Sequence, residues 1–96
     1  MNSNSYVFTN STLTIAENAK ITSNAGRYGG GYAVAAYGNV TITGGTISGS
    51  NVGLAAYGAG VTVVVDNSVS GTPITINKAD IGADVNYTVA GDPSIG

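Results

Sequence analysis

Apolar and polar positions alternate along this chain in short bursts. Leu13-Thr14-Ile15, Val40-Thr41-Ile42, Val61-Thr62-Val63 and Ile74-Thr75-Ile76 each place a threonine between two apolar residues. Alternation with period two puts Val40 and Ile42 on one side of an extended strand and Thr41 and Thr43 on the other. A turn-like stretch then leads to a single β-branched residue, Ile21, Ile47, Val69 or Ile81. The phrases have strand length, and helix formers are scarce outside a few alanines. The pattern predicts an all-β chain.

A longer echo organises these phrases. Ala35-Ala36-Tyr37-Gly38 returns twenty positions on as Ala55-Ala56-Tyr57-Gly58. Ahead of it, Gly31-Tyr32-Ala33-Val34 corresponds to Asn51-Val52-Gly53-Leu54. Behind it, Asn39-Val40-Thr41-Ile42-Thr43 corresponds to Gly60-Val61-Thr62-Val63-Val64, with one extra residue in the second copy. The apolar-Thr-apolar phrases start 27, 21 and 13 positions apart. The first interval fits one wide coil with a loop around Arg27 to Gly31. The last is too short for a full coil, so the fourth phrase is either a cap or a strand on a different sheet.

Repeats of about 20 to 25 residues, made of short strands and glycine-rich corners, are the mark of a solenoid. A three-residue strand cannot bury a face alone, but stacking the same phrase above and below turns its apolar side into a continuous column. The threonines then form an outer row. Gly38, Gly44-Gly45 and Gly49 fall at corners, where a residue without Cβ can take positive φ. Asn39, Asn51 and Asn67 fall where side-chain amides can satisfy corner backbone groups. The expectation is a parallel β-solenoid of about four coils, roughly 20 Å tall at about 4.8 Å per coil. It forms a single domain over residues 1–96, with a repeat core at 6–82 and a terminal strand and tail at 83–96. An antiparallel sandwich or meander competes less well, because the hairpin pairs Asn-Gly and Asp-Gly are missing and the repeats run in one sense.

Composition narrows the functional classes. Only 8% of the residues are charged, against about 25% in an ordinary soluble domain. The formal net charge is -2. Lys20, Arg27 and Lys78 stand apart, so nucleic-acid binding falls away unless the fold clusters all three. No apolar run is long enough for a membrane-spanning helix. Absence of cysteine excludes disulfides and thiolate chemistry within these residues. The start, Met1-Asn2-Ser3-Asn4-Ser5, lacks the basic and apolar regions of a signal peptide. Weak capping at both ends is expected, and marks the chain as a piece of a longer surface protein or a self-associating unit.

The phrases Val40-Thr41-Ile42-Thr43-Gly44-Gly45-Thr46-Ile47-Ser48-Gly49 and Leu13-Thr14-Ile15 with Asn18-Ala19-Lys20-Ile21 resemble the repeats of bacterial cell-surface right-handed β-helices. These belong to the pectate-lyase-like superfamily, in its adhesin and autotransporter-passenger style. The resemblance covers roughly residues 11–82. It implies a short right-handed parallel β-helix, secretion or cell-surface display, and contact with glycans or a host or cell-surface protein. It supplies no catalytic motif, since such coils carry lyases, hydrolases, adhesins and tailspikes alike.

Candidate chemistry is sparse. The acids are Glu17, Asp66, Asp80, Asp84 and Asp92. A polysaccharide lyase or hydrolase would need two of them across a groove, with Asp66, Asp80 or Asp84 beside Lys78. Calcium would need a denser set of oxygens. Histidine is absent, which removes Ser-His-Asp chemistry. No cofactor or metal is expected. The tyrosines are the candidate ligand-binding residues: Tyr37 and Tyr57 in register on one coil face, with Tyr28 and Tyr32 in or beside the widest loop. Either they pack along the solenoid or they form an exposed strip that lies against sugar rings. Thr12/Thr14 and Thr41/Thr43 resemble the flat threonine faces of ice-binding solenoids, but Val64 and Asn77 break the pattern at the next coils. The leading expectation is a non-enzymatic extracellular structural or adhesive module. Behind it stand a glycan-binding module, a fibre or trimer assembled through open coil ends, and a polysaccharide-active enzyme.

Overall fold

A computed structural model describes residues 2–3, 7–9, 12–23, 31–69 and 73–96. The chain is all-β, with no helix among the described residues. On its first pass it forms β1 (Asn2–Ser3), β2 (Val7–Thr9) and β3 (Leu13–Ile15). The second pass gives β4 (Lys20–Ser23), β5 (Tyr32–Ala36) and β6 (Val40–Ile42). A third gives β7 (Thr46–Gly49), β8 (Val52–Ala56) and β9 (Thr62–Asp66). There follow β10 (Thr75–Ile76), β11 (Ala79–Ile81), β12 (Asn86–Ala90) and finally β13 (Ser94–Ile95).

Every described strand pairing is parallel, and each strand pairs with the ones three before and three after it. Three sheets result, ordered β1-β4-β7-β10-β13, β2-β5-β8-β11 and β3-β6-β9-β12 when read from the first pass. The arrangement is consistent with a parallel β-helix.

The core is built from columns running across these ladders. In the first sheet Ile21, Ile47, Ile76 and Ile95 lie in register. In the third, Ile15, Ile42, Val65 and Val89 form one column, and Leu13, Val40, Val63 and Tyr87 another. Val34 and Leu54 stack in the second sheet, beside Ala36 on Ala56. Ile42, Ile47, Leu54, Val40, Val63 and Val65 are fully buried. Each such side chain contributes about 1.5–3 kcal/mol by leaving water.

The echo read from the sequence is in register where the alanines stack, but it slips further on. Val40 pairs with Val63, and Ile42 with Val65, so the phrase around Val61 sits two residues earlier than equivalence to Val40 requires. The cause is the corner. Tyr37, Gly38 and Asn39 join β5 to β6, whereas residues 57 to 61 join β8 to β9. Gly58 and Gly60, at φ 114 and 86, absorb the added length in conformations that cost a glycine little. A two-residue slip preserves which side chains face inward. The outer row is consequently Thr14, Thr41, Val64 and Thr88, and not an unbroken file of threonines. Ile74-Thr75-Ile76 belongs to the first sheet, with Thr75 on Thr46 and Ile76 on Ile47. Val69 is 66% exposed at a turn, unlike Ile21 and Ile47. Residues 83–96, expected as a terminal strand and tail, supply β12 and β13, which pair with β9 and β10.

Asparagines tie the corners of adjacent passes together. The Asn39 Oδ1 accepts from Thr62 N at 2.9 Å. The Asn67 Oδ1 accepts from Ile74 N at 2.7 Å, while its Nδ2 donates to Gly91 O at 3.0 Å. Asn77, marked in the sequence only as a break in the threonine pattern, makes a reciprocal pair: Nδ2 to Gly49 O at 2.7 Å, and Gly49 N to Oδ1 at 3.1 Å. A Cβ on Gly53 would lie 2.5 Å from that Oδ1, so the amide fits only over a glycine. Gly49 is buried, and Asn77→Ala leaves both its backbone groups without these partners. We expect the substitution to cost about 1–3 kcal/mol, read as a lower urea midpoint at unchanged slope.

Candidate functional site

The second sheet places the aromatic residues. Strands β5 and β8 are rich in small residues, and Ala35 lies on Ala55 with Asp80 of β11 on the next rung. Ala35 and Ala55 are both buried, although their neighbours Val34, Ala36, Leu54 and Ala56 already fill the core cluster. At β5 and β8 the sheet is therefore buried on both faces, whereas Asp80, next on the same column, is exposed.

Because β5 and β8 end in register at Ala36 and Ala56, the next residues, Tyr37 and Tyr57, leave the sheet one above the other. The Tyr57 N–H donates to Ala36 O at 3.2 Å. The two rings lie with centroids 6.2 Å apart, tilted by 42°, within the range of a favourable aromatic pair. The Tyr57 hydroxyl donates to Asp80 Oδ2 at 2.8 Å, and the Tyr32 hydroxyl is a second hydrogen-bonding neighbour. Burial first, then the Asp80 hydrogen bond and its charge, then Tyr32, raise the Tyr57 phenol above its ordinary value. Tyr57 is thus held neutral as a donor, and Tyr37, half exposed, stands beside it.

Tyr37 also forms a wall of a cleft of about 280 Å³, lined by Thr12, Gly38, Asn39, Ala59, Gly60 and Val61 besides the tyrosine. The cleft lies where the short corner after β5 meets the long corner after β8. None of the described residues that line it carries a formal charge.

Of the four tyrosines expected from the sequence, the structure brings Tyr32, Tyr37 and Tyr57 together, and Tyr28 lies outside the described residues. By sequence alone, packing and exposure are both open to these tyrosines. Tyr57 is the packed member and Tyr37 the exposed one. From the sequence, Asp80 is a surface or turn carboxylate or a candidate acid for a polysaccharide-active groove, and not a partner for the tyrosines. Its place on the Ala35–Ala55 column follows from the register of β11, which the irregular stretch after β9 hides. The other acids serve turns or stand elsewhere. Asp66, in the third sheet, accepts from Ser68 N at 3.0 Å and Ser68 Oγ at 2.5 Å, and these bonds lower its pKa. Among the described residues, no three acidic or metal-binding side chains cluster to hold an ion, and no helix is long and apolar enough to cross a membrane.

No protein-family model, curated protein or solved structure matches the chain.

The raised Tyr57 phenol carries a definite pH signature. A phenol whose folded pKa exceeds its unfolded value of about 10 contributes stability that is full below that value and is lost as pH rises toward the folded one. Tyr87, raised by burial, acts in the same direction. We expect Tyr57→Phe to lose less stability than the wild type between pH 9 and about 11.5, measured by urea denaturation. Equal losses in both proteins would show that burial and the Asp80 hydrogen bond together do not raise the Tyr57 phenol in solution.

Proposed function

We propose that the chain is a right-handed parallel β-helix of about four coils that serves as a non-enzymatic extracellular surface module and contacts glycans through its tyrosine strip. Handedness follows from the chirality of parallel crossover connections, which are right-handed in about 98% of cases. The resemblance of the Val40–Gly49 phrase to pectate-lyase-like adhesin repeats supports display on a bacterial surface. The observation that carries the adhesive role is the linkage of Tyr32, Tyr37, Tyr57 and Asp80 across successive strands of the second sheet. Such a strip offers flat apolar rings and fixed polar groups together, the combination that recognises a sugar's C–H face and its hydroxyls.

Retention on immobilised polysaccharides and a glycan array test this reading. The wild type should bind at least one glycan class, and the combined Tyr32→Ala, Tyr37→Ala, Tyr57→Ala variant should lose most of that binding. A wild type that binds no glycan, or a variant that binds as well as the wild type, would overturn it.

A second reading, axial assembly of copies, is favoured by Val89. It occupies the column of Ile15, Ile42 and Val65, which are buried, yet it is 46% exposed. The first strands of the three sheets present parallel edges of the kind that a second copy could lay over β11, β12 and β13. Light scattering across a concentration series should then show growth that Val89→Lys abolishes. A wild type that stays monomeric throughout would exclude it.

A further inference from the structure

We infer that the cleft beside Tyr37 is a binding subsite for a neutral pyranose ring, and that Tyr57 and Asp80 act there as positioning residues. The inference rests on the glycan-contacting reading above and specifies its site and its class of ligand.

The cleft has the parts such a ring needs. Tyr37 is 50% exposed and gives a π-face against which the axial C–H groups of a sugar can lie. Its ring is not left to choose its own orientation. It packs against Tyr57 at 6.2 Å, and Tyr57 is anchored by its 2.8 Å bond to Asp80. Fixing the platform in advance lowers the entropic cost of binding. Asn39, in the same corner as Tyr37, lines the cleft too; its Oδ1 is committed to Thr62 N, which holds the amide plane and makes Nδ2 the group it can offer to a sugar hydroxyl. Thr12 adds a hydroxyl to the lining. A Cβ built on Gly60 would meet nothing within 4 Å, so this side of the cleft is open to a ligand.

Charge decides the class. Thr12, Tyr37, Gly38, Asn39, Ala59 and Gly60 line the cleft without a formal charge, and the ionisable side chain that anchors the strip is an acid, Asp80. A uronate or other anionic sugar would bring its carboxylate to a site whose lining offers no cation among the described residues. A neutral sugar leaves no charge unpaired, and its hydroxyls match amide and hydroxyl partners.

Titration with cellohexaose, mannohexaose and hexagalacturonate, followed by tyrosine fluorescence and by saturation-transfer NMR, tests the assignment. At least one neutral hexamer should bind about tenfold or more tightly than hexagalacturonate, a gap set by one uncompensated charge. Tyr37→Ala should weaken that binding about tenfold, and Tyr37→Phe, which keeps the ring, should restore it. Ala59→Glu, on the exposed rim, should obstruct the cleft without touching the core. Tyr57→Phe, which releases the anchor while keeping the aromatic pair, should weaken neutral binding and reduce saturation transfer to the sugar's C–H protons; unchanged binding and transfer would overturn the positioning role of Tyr57 and Asp80. Tighter binding of hexagalacturonate would overturn the neutral class. Neutral binding indifferent to both Tyr37→Ala and Ala59→Glu would overturn the subsite. In both cases the glycan-contacting role survives. Failure of every probe, together with an empty glycan array, would remove the role and the subsite together.

Discussion

A parallel strand of two to five residues has no means of burying its own apolar side. Each strand here depends on the hydrogen-bonded ladder to the strands three before and three after it, and the chain can maintain those ladders only if it returns to the same sheet on every pass. The rest of the structure follows from that requirement. The Ile21–Ile47–Ile76–Ile95 file and the two files of the third sheet are continuous because the ladders are in register. The corners must turn without consuming the register, which is why the chain uses glycines at Gly58 and Gly60 and asparagines at Asn39, Asn67 and Asn77.

This dependence explains what the sequence discloses. Repeated phrases were readable wherever the ladder is regular: Leu13-Thr14-Ile15 does lie on Val40-Thr41-Ile42, and Ala35-Ala36 on Ala55-Ala56. Where a corner changes length, the repeated phrases no longer report register, because identity of a three-residue phrase is a weaker constraint than identity of position in a ladder. Val61-Thr62-Val63 looks like Val40-Thr41-Ile42, yet hydrogen bonding assigns Val63 and not Val61 to Val40. Ile74-Thr75-Ile76 has the same lettering and belongs to another sheet. Short strands of similar composition are interchangeable as text, and only the lengths of the intervening corners tell them apart.

The candidate site was half legible for the same reason. Tyr37 and Tyr57 follow the strongest echo in the chain, so their stacking could be anticipated. Which of them would be exposed could not, since that depends on Asp80, whose strand β11 reaches the second sheet after an irregular stretch. Asn77 likewise looked like a break in a threonine pattern. Its use appears only when Gly49 and Gly53 are placed beside it, because neither the reciprocal amide pair nor the space over Gly53 leaves a periodic trace.

The corner between β8 and β9 separates two kinds of change. Between the pairs Ala36–Ala56 and Val40–Val63 it carries three more residues than the corner after β5; these pass outside the ladder, and the inward columns above and below continue as though nothing had been inserted. That same corner supplies Ala59 and Gly60 to the wall of the cleft. Variation in its length or lettering therefore reshapes a surface recess while the packed interior is spared, so this fold can explore new contacts at one edge without renegotiating its stability.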